Sequence, residues 1–209
     1  MTMIHLTDIN ENNVAEAEKL EVAEEQKSFL DSASGIIRRA KIYKNLNPHL
    51  FGIAEDEKII GLALVKDFED EPFGYDLQQF MTDKNFQNMG YGTKALALIL
   101  DFLRAEGRFD QVEICVKKED IPAIKLYEKA GFRDSGYVDE NLPDCINMIY
   151  FLLFSKKFCF DFLIRPISPG FGYFSVFNPE VFKSLERNIL SGGGNTHTDS
   201  GVFPRKTNP

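Results

Sequence analysis

Gln87-Asn88-Met89-Gly90-Tyr91-Gly92-Thr93-Lys94 is the stretch on which the fold turns. Two glycines separated by one residue let the backbone turn tightly and let a ligand come close to it. The apolar run Ala95-Leu96-Ala97-Leu98-Ile99-Leu100 follows directly, and the pattern predicts a helix over 92–106 ended by Gly107. A helix that starts at such a turn directs unpaired N–H groups and the positive end of its dipole outward, which makes an anion site. The pattern is neither the G-x-x-x-x-G-K-[ST] of a P-loop nor the G-x-G-x-x-G of a dinucleotide fingerprint. Standing alone, a Gly-x-Gly before a helix is more often an ordinary strand–helix turn than a phosphate site.

Residues 77–82, just upstream, read as a strand. Downstream, Asp120-Ile121-Pro122-Ala123-Ile124-Lys125-Leu126-Tyr127-Glu128-Lys129-Ala130-Gly131-Phe132 reads as a helix over 121–130. Pro122 suits a first helical turn, Ala123 and Tyr127 fall four apart on one face, and Gly131 supplies a left-handed end. A helical tyrosine is usually packing, so this segment has weight only beside the glycine loop. Further out, alternation predicts a strand over 3–9, and Val14, Ala17, Leu20 and Val22 predict an amphipathic helix over 13–30. A helix over 34–43 comes next, then strands over 49–55 and 59–67 around a hairpin at Asp56-Glu57-Lys58. Strands over 111–117, 132–137 and 147–153 complete the order β-α-α-β-β-β-α-β-α-β-β, a mixed sheet with helices on its faces.

The chain has 209 residues, 44% of them hydrophobic and 27% charged, which excludes a disordered chain, a collagen and a coiled coil. A net charge of −8 argues against nucleic acid as partner and suits a cationic one. Cys115, Cys145 and Cys159 have no metal-ligand spacing and read as reduced and structural, with no metal site. No apolar leader segment is visible, and the uncharged apolar run 145–155 is well short of the roughly 20 residues that span a bilayer. A cytoplasmic protein without a membrane partner is expected.

The charge divides unevenly. Residues 1–154 carry 28 acidic and 17 basic side chains, whereas 155–209 carry 4 and 7; 10 of the 19 phenylalanines lie after residue 150. The expected organisation is a domain over 1–154 and an appended tail over 155–209, aromatic-rich and then Gly-rich and polar. Within the tail, Phe158-Cys159-Phe160-Asp161-Phe162-Leu163 could add a strand to a sheet edge or a homodimer interface, or serve no role; the second is favoured.

Together, Gln87-x-x-Gly90-x-Gly92 and Ala123-x-x-Leu126-Tyr127-x-x-x-Gly131-Phe132 resemble the two cofactor segments of the GCN5-related N-acetyltransferase (GNAT) superfamily, over roughly residues 3–154. Glu25-Gln26-Lys27-Ser28-Phe29 and Phe80-Met81-Thr82-Asp83 bring the chain nearest to bacterial diamine (spermine/spermidine) acetyltransferases. The resemblance implies an α/β (α+β) fold, a mixed and mostly antiparallel sheet whose splayed central strand pair is flanked by helices. It implies acetyl-CoA as cosubstrate and a small amine as acceptor. Phe80, Met81 and Thr82 would pair through their backbones with the pantetheine, and Gln87, Asn88, Met89, Gly90, Tyr91, Gly92 and Thr93 would form the pyrophosphate loop. Asp120, Ala123 and Tyr127 would form the second cofactor segment. Tyr127 would protonate the leaving thiolate and the N–H of Met81 would polarise the thioester carbonyl. Glu24, Glu25 or Asp76 would take the proton of the acceptor ammonium. Alternatives are acetylation of a protein N-terminus or an aminoglycoside-type amine, or acyl-CoA sensing without turnover.

Two departures from the family pattern stand out. Asp120 replaces an asparagine, so an acceptor-only carboxylate sits where a donor is usual. Gln78 and Gln79 occupy the central strand where relatives often carry an acidic–basic pair. The acidic run Asp67, Glu69, Asp70, Glu71 could be a collar for a polycation, though a solvated loop is the favoured reading.

Overall fold

The structure is a computed structural model in which residues 3–68 and 73–152 are described. Seven strands, β1 (Ile4–Asp8), β2 (His49–Glu55), β3 (Lys58–Asp67), β4 (Tyr75–Thr82), β5 (Gln111–Lys117), β6 (Arg133–Asp134) and β7 (Cys145–Phe151), form one sheet in the order β1-β2-β3-β4-β5-β7-β6. Every neighbouring pair is antiparallel except β4 and β5, which are parallel. The helices are α1 (Val14–Ala17), α2 (Ala33–Ile42), α3 (Tyr91–Glu106) and α4 (Ile121–Ala130).

β3 is apolar almost throughout because both of its faces are covered. Leu62 and Leu64 pack against Ala17, Ala33, Ile36 and Ile37 of α1 and α2. Ala63 and Val65, on the opposite face, belong to the cluster that holds Leu96, Ile99 and Leu103 of α3 and Tyr127 of α4. The sheet is thus the middle of three layers.

The elements expected from sequence are present with shifted ends, apart from two. The helix expected over 13–30 is only one turn, α1, followed by irregular chain and a 3₁₀ turn at Glu24–Gln26. Tertiary bonds win there: Glu21 N–H donates to Asp83 Oδ2 at 3.0 Å and Glu21 O accepts from Lys84 N–H at 2.7 Å, so its peptide groups leave the helical ladder. The strand expected over 132–137 is two residues long, since Gly136, at φ +73°, turns the chain away. Asp67 is no collar: it is buried at the end of β3 with Arg108 Nη1 at 2.7 Å. Glu69, Asp70 and Glu71, and the tail over 155–209, lie outside the described residues.

The central strands part company early. β4 and β5 pair only through Tyr75↔Val112 and Asp76↔Glu113. Beyond that, β4 stays with β3 as far as Thr82, and β5 stays with β7. Gln78 is an extra residue in β4, a bulge between Leu77↔Val65 and Gln79↔Leu64, which sharpens the local twist and helps the strands diverge. The far half of β4 therefore offers a row of backbone groups to an opening rather than to a neighbour.

Candidate active site

The opening between β4 and β5 leads into a cleft of ≈ 260 Å³ whose walls come from four places: β4, the 87–93 loop, α4 and the irregular chain after α1.

Register decides what β4 presents. Asp83 N–H donates to Ile60 O at 2.8 Å, and the Met81 carbonyl oxygen crowds the place a Cβ on Gly61 would occupy. Met81 therefore turns its peptide groups toward β3. Backbone groups alternate edges along a strand, so Phe80 and Thr82 turn theirs toward the opening. The N–H of Met81, expected to meet the thioester carbonyl, is on the wrong edge; its side chain is buried under the α1–α2 layer.

In the loop, Asn88 and Gly90 take φ of +61° and +82°. A Cβ on Gly90 would meet nothing within 4 Å, so the turn is an open cradle. The first bond of α3 runs from Lys94 N–H to Gly90 O at 3.2 Å, which leaves the N–H groups of Gly92 and Thr93 at the helix start, next to the cleft they line. Gln87, Asn88, Gly90, Gly92 and Thr93 line the cleft. Met89 does not, being 60% exposed, and the hydroxyl of Tyr91 is turned to the Glu55 carboxylate on β2.

Asp120 caps α4 by accepting the Ala123 N–H at 3.1 Å. An asparagine oxygen could make the same bond, so the departure from asparagine leaves the cap intact. Burial raises its carboxyl above the usual range, with the Ala123 bond pulling the other way. Tyr127 is buried in edge contact with Phe132 at 5.5 Å and lines the cleft. Burial, with Asp120 nearby, pushes its phenol well up, so it stays protonated at neutral pH.

The fourth wall was invisible in the sequence. Val22, Gln26 and Leu30 line the cleft from the chain after α1, and Pro122 and Leu126 add to the α4 side. Gln87 Nε2 donates to Gln26 Oε1 at 2.7 Å and to Thr82 O at 3.0 Å. Gln79 Oε1 accepts Asp31 N–H at 3.1 Å, so a residue that cannot titrate anchors the lip. Gln26 sat within the segment that suggested polyamine enzymes, but no spacing rule marks it. Glu25 is exposed and outside the cleft, and its neighbour Glu24 is paired with Lys27 at 2.6 Å.

Asp76 stands at the closed end of the opening, opposite Glu113, outside the cleft walls. Lys66 Nζ lies 3.1 Å from Asp76 Oδ2 and 5.2 Å from the Tyr43 ring. Burial raises Asp76, against the pull of Lys66; burial and Asp76 together raise Glu113. An acidic–basic pair thus spans β3 and β4 at this end of the opening.

Residues 9–132 match the acetyltransferase (GNAT) family. The chain belongs to that family: it is an N-acetyltransferase whose acyl donor is acetyl-CoA. It is 26% identical, over 143 residues, to the spermine/spermidine N(1)-acetyltransferase of Bacillus subtilis (strain 168), a match covering 66% of this chain and 93% of the relative. Its fold is similar to that of spermidine N-acetyltransferase from Vibrio cholerae, solved with CoA and spermine, at a TM-score of 0.56 and 16% identity, over 71% of this chain and 95% of the other. An aminoglycoside acetyltransferase solved with coenzyme A is similar at a TM-score of 0.60 and 14% identity, over 71% and 95% of the two chains. Among the described residues no helix is long and apolar enough to cross a membrane.

Proposed function

We propose that this acetyltransferase acts in the cytoplasm on a small primary amine, with a polyamine of the spermine or spermidine kind as first choice. The observation that supports the reaction is the edge of β4 turned away from β3, with the peptide of Phe80 and the N–H of Thr82 facing the opening that runs into the cradle at Gly90. An extended amide-bearing arm can add to that edge as a strand would, with its anionic end at the start of α3. The named polyamine relative supports the acceptor, as does the chain's net charge of −8.

Acetyl-CoA supplies an acyl group activated as a thioester. The chain's own contribution is alignment, a place for the oxyanion and the handling of two protons. Alignment of amine and thioester removes a large part of the barrier. The N–H of Phe80, in place of that of Met81, would donate to the carbonyl oxygen as negative charge develops on it. Tyr127 offers its O–H to the departing sulfur. Its phenol is raised above about 10 while a thiol sits near 8.5, so it serves best as a hydrogen-bond donor that steadies the thiolate. Of the three carboxylates considered as base, Asp76 is the one on the central strand and shielded from solvent; Glu24 and Glu25 are exposed. Asp76 stands outside the cleft walls, so the ammonium proton would reach it only through intervening water.

The experiment is CoA release with acetyl-CoA against spermine, spermidine, putrescine, lysine, a peptide with a free N-terminus and an aminoglycoside. Turnover with the polyamines alone supports this reading. Turnover with the peptide or the aminoglycoside in their place overturns the acceptor and leaves the chemistry standing.

A further inference from the structure

We propose that Gln26 is a positioning residue: from the lip it holds Gln87, and through Gln87 it sets the pyrophosphate loop and the affinity for CoA. This rests on the reading of 87–93 as the pyrophosphate loop.

Hydrogen-bond arithmetic carries the inference. Thr82 O can only accept, so the Gln87 group facing it at 3.0 Å is the –NH₂. Ala23 N–H can only donate, so the Gln26 atom 3.1 Å from it is the carbonyl oxygen, and that same oxygen receives Gln87 Nε2 at 2.7 Å. Both protons of Gln87 are thereby committed within the chain, one to β4 and one to the lip. Only its oxygen is left, and an oxygen acceptor does not bind a pyrophosphate anion. Gln87 therefore braces the loop rather than touching phosphate, and half of the brace is anchored on Gln26. The lip is itself held beside the loop, since Asp83 Oδ2 accepts Glu21 N–H at 3.0 Å and Lys84 N–H donates to Glu21 O at 2.7 Å. Residues 21–26 and 82–87, some sixty positions apart, form one stitched unit, so the lip sets the loop from which the cradle at Gly90 follows.

CoA binding to the full chain is measured by calorimetry for the wild type, Gln26→Met, Gln87→Met, the double variant, Gln26→Glu and Gly90→Val. Each single glutamine variant is expected to bind about tenfold more weakly, the worth of one hydrogen bond on a half-buried anchor. The double variant is expected to be no weaker than the weaker single one, because the two side chains form one brace. Gln26→Glu keeps an acceptor at the same reach and is expected to return to within about threefold of wild type. A purely structural loss would show neither the rescue nor the non-additivity. Should Gln26→Met not fold, Gln26→Asn, one methylene too short for the bond, replaces it in the cycle with the same expectation. Wild-type affinity in Gln26→Met, or losses that multiply to about a hundredfold in the double variant, would overturn the proposal. Wild-type affinity in Gly90→Val would instead overturn the assignment of the loop itself.

Discussion

In the proposed reaction Tyr127 and Phe80 act through opposite parts of the residue, one through its side chain and the other through its peptide. For Tyr127→Phe we expect turnover to fall by about 10- to 100-fold with CoA affinity little changed; unchanged turnover would remove the hydroxyl from the reaction. The raised phenol also implies that no alkaline loss of activity traceable to Tyr127 sets in below its ordinary pKa of about 10. At Phe80, replacing the peptide N–H by an ester oxygen leaves the side chain in place. Steady-state kinetics should then show a loss of about 10²-fold in kcat, while the same exchange at Met81 should act on stability through the β3 ladder. Gly90 carries its effect in the backbone: at φ +82°, a β-branched residue is strained and fills the cradle as well.

The chain between α1 and α2 shows how an element yields to its neighbours. Apolar spacing over 13–30 was legible and argued for a helix, and Ala17, Leu20 and Val22 are indeed buried. The pattern located the inward face but mistook the backbone, because Asp83, more than fifty residues away, takes the Glu21 N–H that a helix would have used. Burial alone would raise the Asp83 carboxyl, but N–H donors from Glu21 and Asn85 outweigh it and hold the group below its ordinary range. The sign follows. A depressed carboxyl stabilises the fold fully above its unfolded value near 4 and loses that contribution as pH falls through its folded value. Thermal melts from pH 6 to pH 2 should therefore show a steeper acid decline in the wild type than in Asp83→Asn. Asp83→Ala should cost about 1–3 kcal/mol and weaken CoA binding by freeing the lip; a melt unchanged from wild type would show that the stitch contributes nothing.

Across the molecule, stability sits in β3 and the helices on both of its faces. Leu64 is fully buried under α1 and α2, so Leu64→Ala should lose about 2–5 kcal/mol in urea titration, more than any single change at the cleft rim. The family match ends at residue 132 and the polyamine relative aligns with 66% of the chain. A chain ending at Phe154 is accordingly expected to keep CoA binding; its loss would give the tail a part in the domain.

Local rules made the glycine loop, α3, β5 and α4 readable from the amino acids, because a turn, a cap and an apolar stripe are written in neighbouring residues. The glycine loop, the start of α3 and α4 line the cleft, so most of that wall was legible. Which peptide groups of β4 face the opening was not, since that parity is set by pairing with Ile60 and Leu62 on β3, and a one-residue change would exchange Met81 for Phe80. Nor could the lip be read, for Gln26 meets Gln87, 61 positions away, only once the chain between them has folded. Sequence by itself determined most of the elements and the glycine loop, where the physics is local. The edge that each peptide of β4 faces and the bond between Gln26 and Gln87 rest on contacts between distant segments, and only the tertiary structure decided them.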